Sequence, residues 1–138
     1  YASGYGTSPQ NAIDESLSTT WNSGGLAIQW ITINLGATFQ ISEIRANVAQ
    51  NPDGYSLHKI YLDGALAASW NGMTVDGEWL THTFGSPLSA ENIKIETISS
   101  YSWVAWNEIE IYANVVPIPA AVWLFGSGLG LLGWFRRL

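Results

Sequence analysis

The tightest constraint on this chain is a repeated pattern: short β-branched runs that alternate apolar with polar residues and stop at turn-forming pairs. Ile28-Gln-Trp-Ile-Thr-Ile-Asn-Leu35 alternates and ends at Gly36. Alternation of this kind sends successive side chains to opposite faces of a strand, so one face can be buried while the other meets water. Phe39 to Val48 reads as a second strand, closed by the turn Asn51-Pro-Asp-Gly54. Leu57 to Leu62 is a third, and Asp63-Gly64 is a hairpin turn returning through Ala65–Trp70. Trp79 to Phe84, Asn92 to Thr97 and Asn107 to Tyr112 complete the set. In the last of these, Ile109 and Ile111 point in and Glu108 and Glu110 point out. Asn11 to Trp21 lacks periodicity and is rich in side-chain oxygens, which predicts a packed loop, and Ser99 to Val104 is an aromatic loop. Many short strands at such spacing predict a mainly β fold, an antiparallel β-sandwich, over residues 1–114.

The segment from Val115 to Leu138 follows other rules. It carries no charge until Arg136 and Arg137, and Pro119 suits the first turn of a helix. A helix from there to the end would be about 30 Å long, near the thickness of a bilayer's hydrocarbon core. Trp123 and Trp134 stand near its ends, where amphipathic rings favour a membrane interface, and the arginine pair fits the cytoplasmic side. Gly126, Gly130 and Gly133 form one smooth face on which another helix can approach closely. The prediction is one apolar C-terminal α-helix, packed in lipid or against copies of itself.

Charge and composition narrow the partners. All 11 acidic residues precede this tail, against Arg45, Lys59 and Lys94, so the domain has a net charge of −8 and the whole chain −6. So acidic a surface argues against nucleic acid as a partner. There is no cysteine, hence no disulfide framework. The chain opens at Tyr1 with neither Met nor an apolar leader, which fits an exported protein after removal of its signal peptide and equally a trimmed chain; export is the expectation.

Two stretches of the chain carry family resemblances. Val116-Pro-Ile-Pro-Ala-Ala121, then Trp123-Leu-Phe-Gly-Ser-Gly128 and the terminal arginines, resembles the Val-Pro-x-Pro variant of the PEP-CTERM sorting signal of bacterial exported proteins; Ile118 stands where that signal usually has Glu. The resemblance implies a bacterial cell-surface or extracellular location, with contact with a membrane at least during export. Asp14 through Ser18-Thr19 to Trp21, Trp30-Ile-Thr-Ile-Asn-Leu-Gly36, His58-Lys-Ile-Tyr-Leu-Asp-Gly64 and Glu108-Ile-Glu-Ile-Tyr112 together resemble a discoidin domain. That is the coagulation-factor C-type, galactose-binding-like jelly roll, shared with many carbohydrate-binding modules.

The second resemblance implies two sites. One is a structural Ca²⁺ held by the side chains of Asp14, Thr19 and Glu108 and the carbonyls of Asn11, Ser16 and Asn107; Glu15-Ser16 stands where many relatives have Gly-Asp. Hard oxygens with two carboxylates suit that ion. The other is a sugar site at one end of the sandwich, where a ring stacks on a sugar and polar groups read its hydroxyls. Its candidates are Tyr101, Trp103, Trp70 and Asn71, with His58 or Asn51 nearby. Of the eight tryptophans, Trp21, Trp30 and Trp106 are assigned to the core.

Catalysis finds no support. His58 and His82 each lie inside an alternating strand, and neither a nucleophile elbow nor a phosphate loop nor zinc-ligand spacing occurs. The favoured reading is a non-enzymatic surface protein whose C-terminal helix drives self-assembly into a filament with the sandwich displayed outside. The alternative is a carbohydrate-binding module exported and anchored or sorted through its tail.

Overall fold

The computed structural model describes residues 1–4 and 6–116. The expected C-terminal helix, with Trp123, Gly126, Gly130, Gly133, Trp134, Arg136 and Arg137, lies outside the described residues. A short 3₁₀ helix, Pro9–Ala12, precedes six strands: β1 (Trp21–Asn22), β2 (Gln29–Val48), β3 (Gly54–Leu62), β4 (Ala65–Thr74), β5 (Trp79–Ser99) and β6 (Ala105–Val115). All pair antiparallel, in the order β1-β6-β2-β5-β3-β4.

The runs 28–35 and 39–48, expected as two strands, belong to one long strand, and 79–84 and 92–97 likewise merge into β5. The break between the runs survives as a change of register. Pairing passes from Asn34 to Phe39 on β2 while β5 moves only from Asn92 to Ala90. Between Ile41 and Glu43 the imbalance reverses, and β5 passes from Leu88 to Thr83. Gly36 sits in the first irregularity with φ +79°, and its N–H donates to Asn34 Oδ1 at 2.7 Å. A left-handed backbone there favours glycine and turns the strand. Each long strand therefore serves two layers. The first half of β2 and the second half of β5 continue into β3 and β4; the other halves continue into β6 and β1. This is the sandwich.

The core lies between these layers. Ile31, Ile60, Leu62, Ile93 and Ile95 come from one, and Trp21, Ile41, Ile44, Ala46, Trp106 and Ile109 from the other, with Ala12 of the 3₁₀ helix joining the same cluster. Trp21 and Trp106 are buried as expected. Trp30 is only half-buried: it stacks on Tyr1 at 5.7 Å between ring centroids, with the Lys94 ammonium 5.8 Å from its ring. Its outward position follows from the alternation that buries its neighbour Ile31. The hairpin at Asp63-Gly64 forms as read, both residues at positive φ, and Asp63 Oδ1 accepts N–H bonds from Glu91 and Asn92.

Candidate functional site

Four loops meet at one end of the sandwich: those joining β1 to β2, β2 to β3, β4 to β5 and β5 to β6. Between them lies an open cleft of about 510 Å³ lined by Asn22, Leu26, Asn51, Asp76, Tyr101 and Trp103, among others. The β5–β6 loop keeps a strand-like alternation. Tyr101 and Trp103 are 66% and 56% exposed, whereas Ser102 and Val104 are buried. Backbone bonds hold it in place: Val104 N–H donates to the Gly25 carbonyl and Ser23 N–H to the Val104 carbonyl, each at 2.9 Å. The rings are thus presented from a pinned backbone.

Gln50 joins three of the loops. Only 1% exposed, it donates from Nε2 to the Pro52 carbonyl at 3.2 Å and accepts from Ser100 Oγ at 3.2 Å. Its backbone N–H donates to Asp76 Oδ1 at 2.8 Å, and Asp76 N–H in turn donates to Asp53 Oδ1 at 2.9 Å. Among the described residues none of the domain's cations, Arg45, Lys59 or Lys94, lines the cleft. Arg45 is held by Glu110 at 3.3 Å over the Trp79 ring, and Lys94 by Glu96 at 2.9 Å.

Of the sugar-site candidates, Tyr101, Trp103 and Asn51 come together in the cleft. Trp70 and Asn71 do not. They lie within β4 and border a separate shallow depression with Trp79, and the Trp70 ring packs 6.2 Å from Trp106 and 6.4 Å from His58. His58 is likewise absent from the cleft. It is buried on β3, with Nδ1 2.8 Å from Thr97 Oγ1 and Nε2 3.0 Å from Ser56 Oγ, and burial lowers its pKa to about 4. With Ser56 bonded to Thr74 Oγ1 at 2.5 Å, it forms part of a satisfied buried chain and has no free nitrogen for a ligand. Asn22, Leu26, Gln50 and Asp76 escaped notice as site residues. The turn signals around them were visible, but not their convergence.

The early loop and the start of β6 form a second cluster. Glu108, read as pointing outward, is only 6% exposed, because the Asp14–Thr19 loop covers it. Burial raises its pKa; N–H bonds from Ser16 and Glu15 lower it, and the nearby Asp14 charge raises it further. Its Oε2 is buried with no hydrogen-bond partner. Asp14 accepts from Ser16 N–H at 3.1 Å and from the Thr19 hydroxyl, which also lies 3.4 Å from the Ser16 carbonyl. Asn107 falls in the irregularity where β2 pairing jumps from Glu108 to Trp106, so its place in the ladder is skipped. Its side chain is committed, accepting from Thr20 Oγ1 at 2.6 Å and donating to Asn47 Oδ1 at 2.9 Å. The Asn11 side chain is also spent, on the Thr20 carbonyl at 3.1 Å, which leaves the Asn11 and Asn107 carbonyls as their contributions to a ligand set. Two nearby carboxylates, one with a buried unpaired oxygen, are the kind of hard donors a divalent cation takes, while among the described residues no group of three or more Asp, Glu, His or Cys gathers as a metal cluster.

The chain belongs to the F5/8 type C domain family, which it matches over residues 1–111. Among solved structures it is similar to the family 32 carbohydrate-binding module of AlyQ in complex with 4,5-unsaturated mannuronic acid. The identity is 25% and the TM-score 0.65, over 81% of this chain and 92% of that one. It is also similar to the family 32 module of Clostridium perfringens NanJ in complex with galactose, at 26% identity and TM-score 0.59, over 80% and 91% of the two chains. A pectin-binding module shares the fold at 24% identity and TM-score 0.61, over 86% and 91%. No curated protein matches the sequence.

Proposed function

We propose that this domain is a non-catalytic carbohydrate-binding module and that the loop-end cleft is its sugar site. The observation that carries this is the pair of exposed rings, Tyr101 and Trp103, on a pinned loop beside the polar groups of Asn22, Asn51 and Asp76. A sugar presents an apolar C–H face and a rim of hydroxyls; rings take the first and amide or carboxylate oxygens the second. The two relatives at 25% and 26% identity are sugar-bound modules, which supports the same reading. It displaces self-assembly as the leading function, since the filament idea rests entirely on residues beyond 116. The test is isothermal titration against a panel of mono- and oligosaccharides. A saccharide in the panel should bind, and Trp103→Ala should weaken it at least tenfold while the melting temperature holds. Absence of binding across the panel, or a Trp103→Ala variant that binds as wild type does, overturns the proposal.

The Asp14–Thr19 loop and Glu108 are assigned to a structural Ca²⁺, with Asp14, Thr19 and Glu108 as side-chain ligands and Asn11, Ser16 and Asn107 as carbonyl donors. Support comes from the orphaned Glu108 oxygen and the skipped ladder position at Asn107. The ion would tie the early loop to β6 and offset two facing carboxylates. An extracellular or cell-surface location, with the tail as anchor or sorting address, is part of the same proposal.

A further inference from the structure

We infer that the sugar site continues past Tyr101 into a second subsite built on Tyr55, so that the domain binds a chain of several sugars and not a single terminal residue. The inference rests on the reading of the loop-end cleft as a sugar site. Tyr101 belongs to two depressions at once. It lines the main cleft, and it also lines an open groove of about 360 Å³ together with Tyr55, Ser99 and Ser100. Tyr55 is 66% exposed. Its partner across the β3–β4 ladder is Met73, also exposed, so the apolar surface continues toward the edge strand.

Trp103 and Tyr101 thus line one depression and Tyr101 and Tyr55 the next, where the exposed Ser99 supplies a hydroxyl while that of Ser100 is held by Gln50. Rings separated by hydroxyls match an oligosaccharide, whose apolar faces recur along the chain between hydrogen-bonding edges. Tyr55 is placed there by the β3 alternation. Gly54, Ser56, His58, Ile60 and Leu62 face inward, which sends Tyr55 outward at the end of the strand nearest the loops. Tyr55 makes no side-chain hydrogen bond among the described residues, and its surface there serves no packing need of the core.

A second ring engaged by the same ligand adds its binding without a second loss of translational freedom, so affinity should climb with chain length. The experiment titrates the full chain with monomer-to-hexamer series of cello-, xylo-, galacto- and N-acetylchito-oligosaccharides. The series that binds should bind at least tenfold more tightly as hexamer than as monomer. Tyr55→Ala should compress that ratio to about twofold, and Tyr55→Phe, which keeps the ring, should restore most of it. Equal affinity for monomer and hexamer, or an undiminished ratio in Tyr55→Ala, overturns the extended site; if Trp103→Ala still abolishes binding in that case, the sugar-site reading stands alone. Failure of every series to bind overturns both.

Discussion

The ring of Tyr101 lies directly on the backbone of Gly54: a β-carbon at position 54 would stand 2.6 Å from the ring Cγ and 2.8 Å from the Tyr101 Cβ. That is well inside van der Waals contact, so any side chain at 54 must move the tyrosine. Gly54 thereby seats the ring that lines both depressions.

Gly54→Ala should accordingly act on binding from a position that touches no ligand. A methyl group at 54 must displace the Tyr101 ring from its seat. We expect a lower melting temperature and a loss of sugar affinity comparable to that of Tyr101→Ala. Titration of both variants side by side checks this; wild-type affinity in Gly54→Ala would show that the seat is unnecessary.

His58 predicts a pH dependence of stability. Burial lowers its pKa from 6.5 to about 4, so between those values the unfolded chain takes up a proton that the folded chain refuses. The sign is therefore destabilisation as pH falls from about 6.5 to 4, and no further contribution below. The full effect is on the order of 3 kcal/mol at 1.36 kcal/mol per pKa unit. Melting temperatures across this window should fall more steeply for wild type than for His58→Gln, whose amide carries no titrating charge.

Calcium should raise the melting temperature, and chelation should lower it, by linkage to the folded state. Without a cation, the raised pKa of Glu108 means that its contribution is present at low pH and is lost as pH rises past the ordinary carboxylate range. Added Ca²⁺ should therefore stabilise most at neutral pH and least near pH 4, where protons compete for the carboxylate. Glu108→Gln should abolish the response. A calcium-independent melting curve at pH 7 would remove the ion from this domain.

A sugar site with the charge of this cleft should discriminate among glycans. Asp76 lines it, none of the three domain cations does, and the domain as a whole is acidic. Uronic acid polymers should thus bind at least tenfold more weakly than a neutral oligosaccharide of equal length at low salt, and the gap should narrow as salt screens the repulsion. Parallel titrations with oligogalacturonate and the best neutral ligand at two ionic strengths test this.

The legible part of this protein was what depends on neighbours in sequence. Period-two alternation and the Asp63-Gly64 pair announce strands and a hairpin, because strand geometry and turn φ values are local properties. The same locality made Tyr101 and Trp103 visible as an aromatic loop. What remained hidden depends on distant partners. Glu108 alternates outward along its own strand, yet the Asp14–Thr19 loop closes over it. Trp70 looks like a loop ring but joins His58 and Trp106 in packing, because β4 runs on to Thr74. The merging of runs into β2 and β5, and the gathering of Asn22, Asn51, Asp76 and Tyr101 at one end, arise from antiparallel pairing between segments far apart in the chain. A residue's own neighbours set which way it can point; only the closed sandwich decides what it meets there.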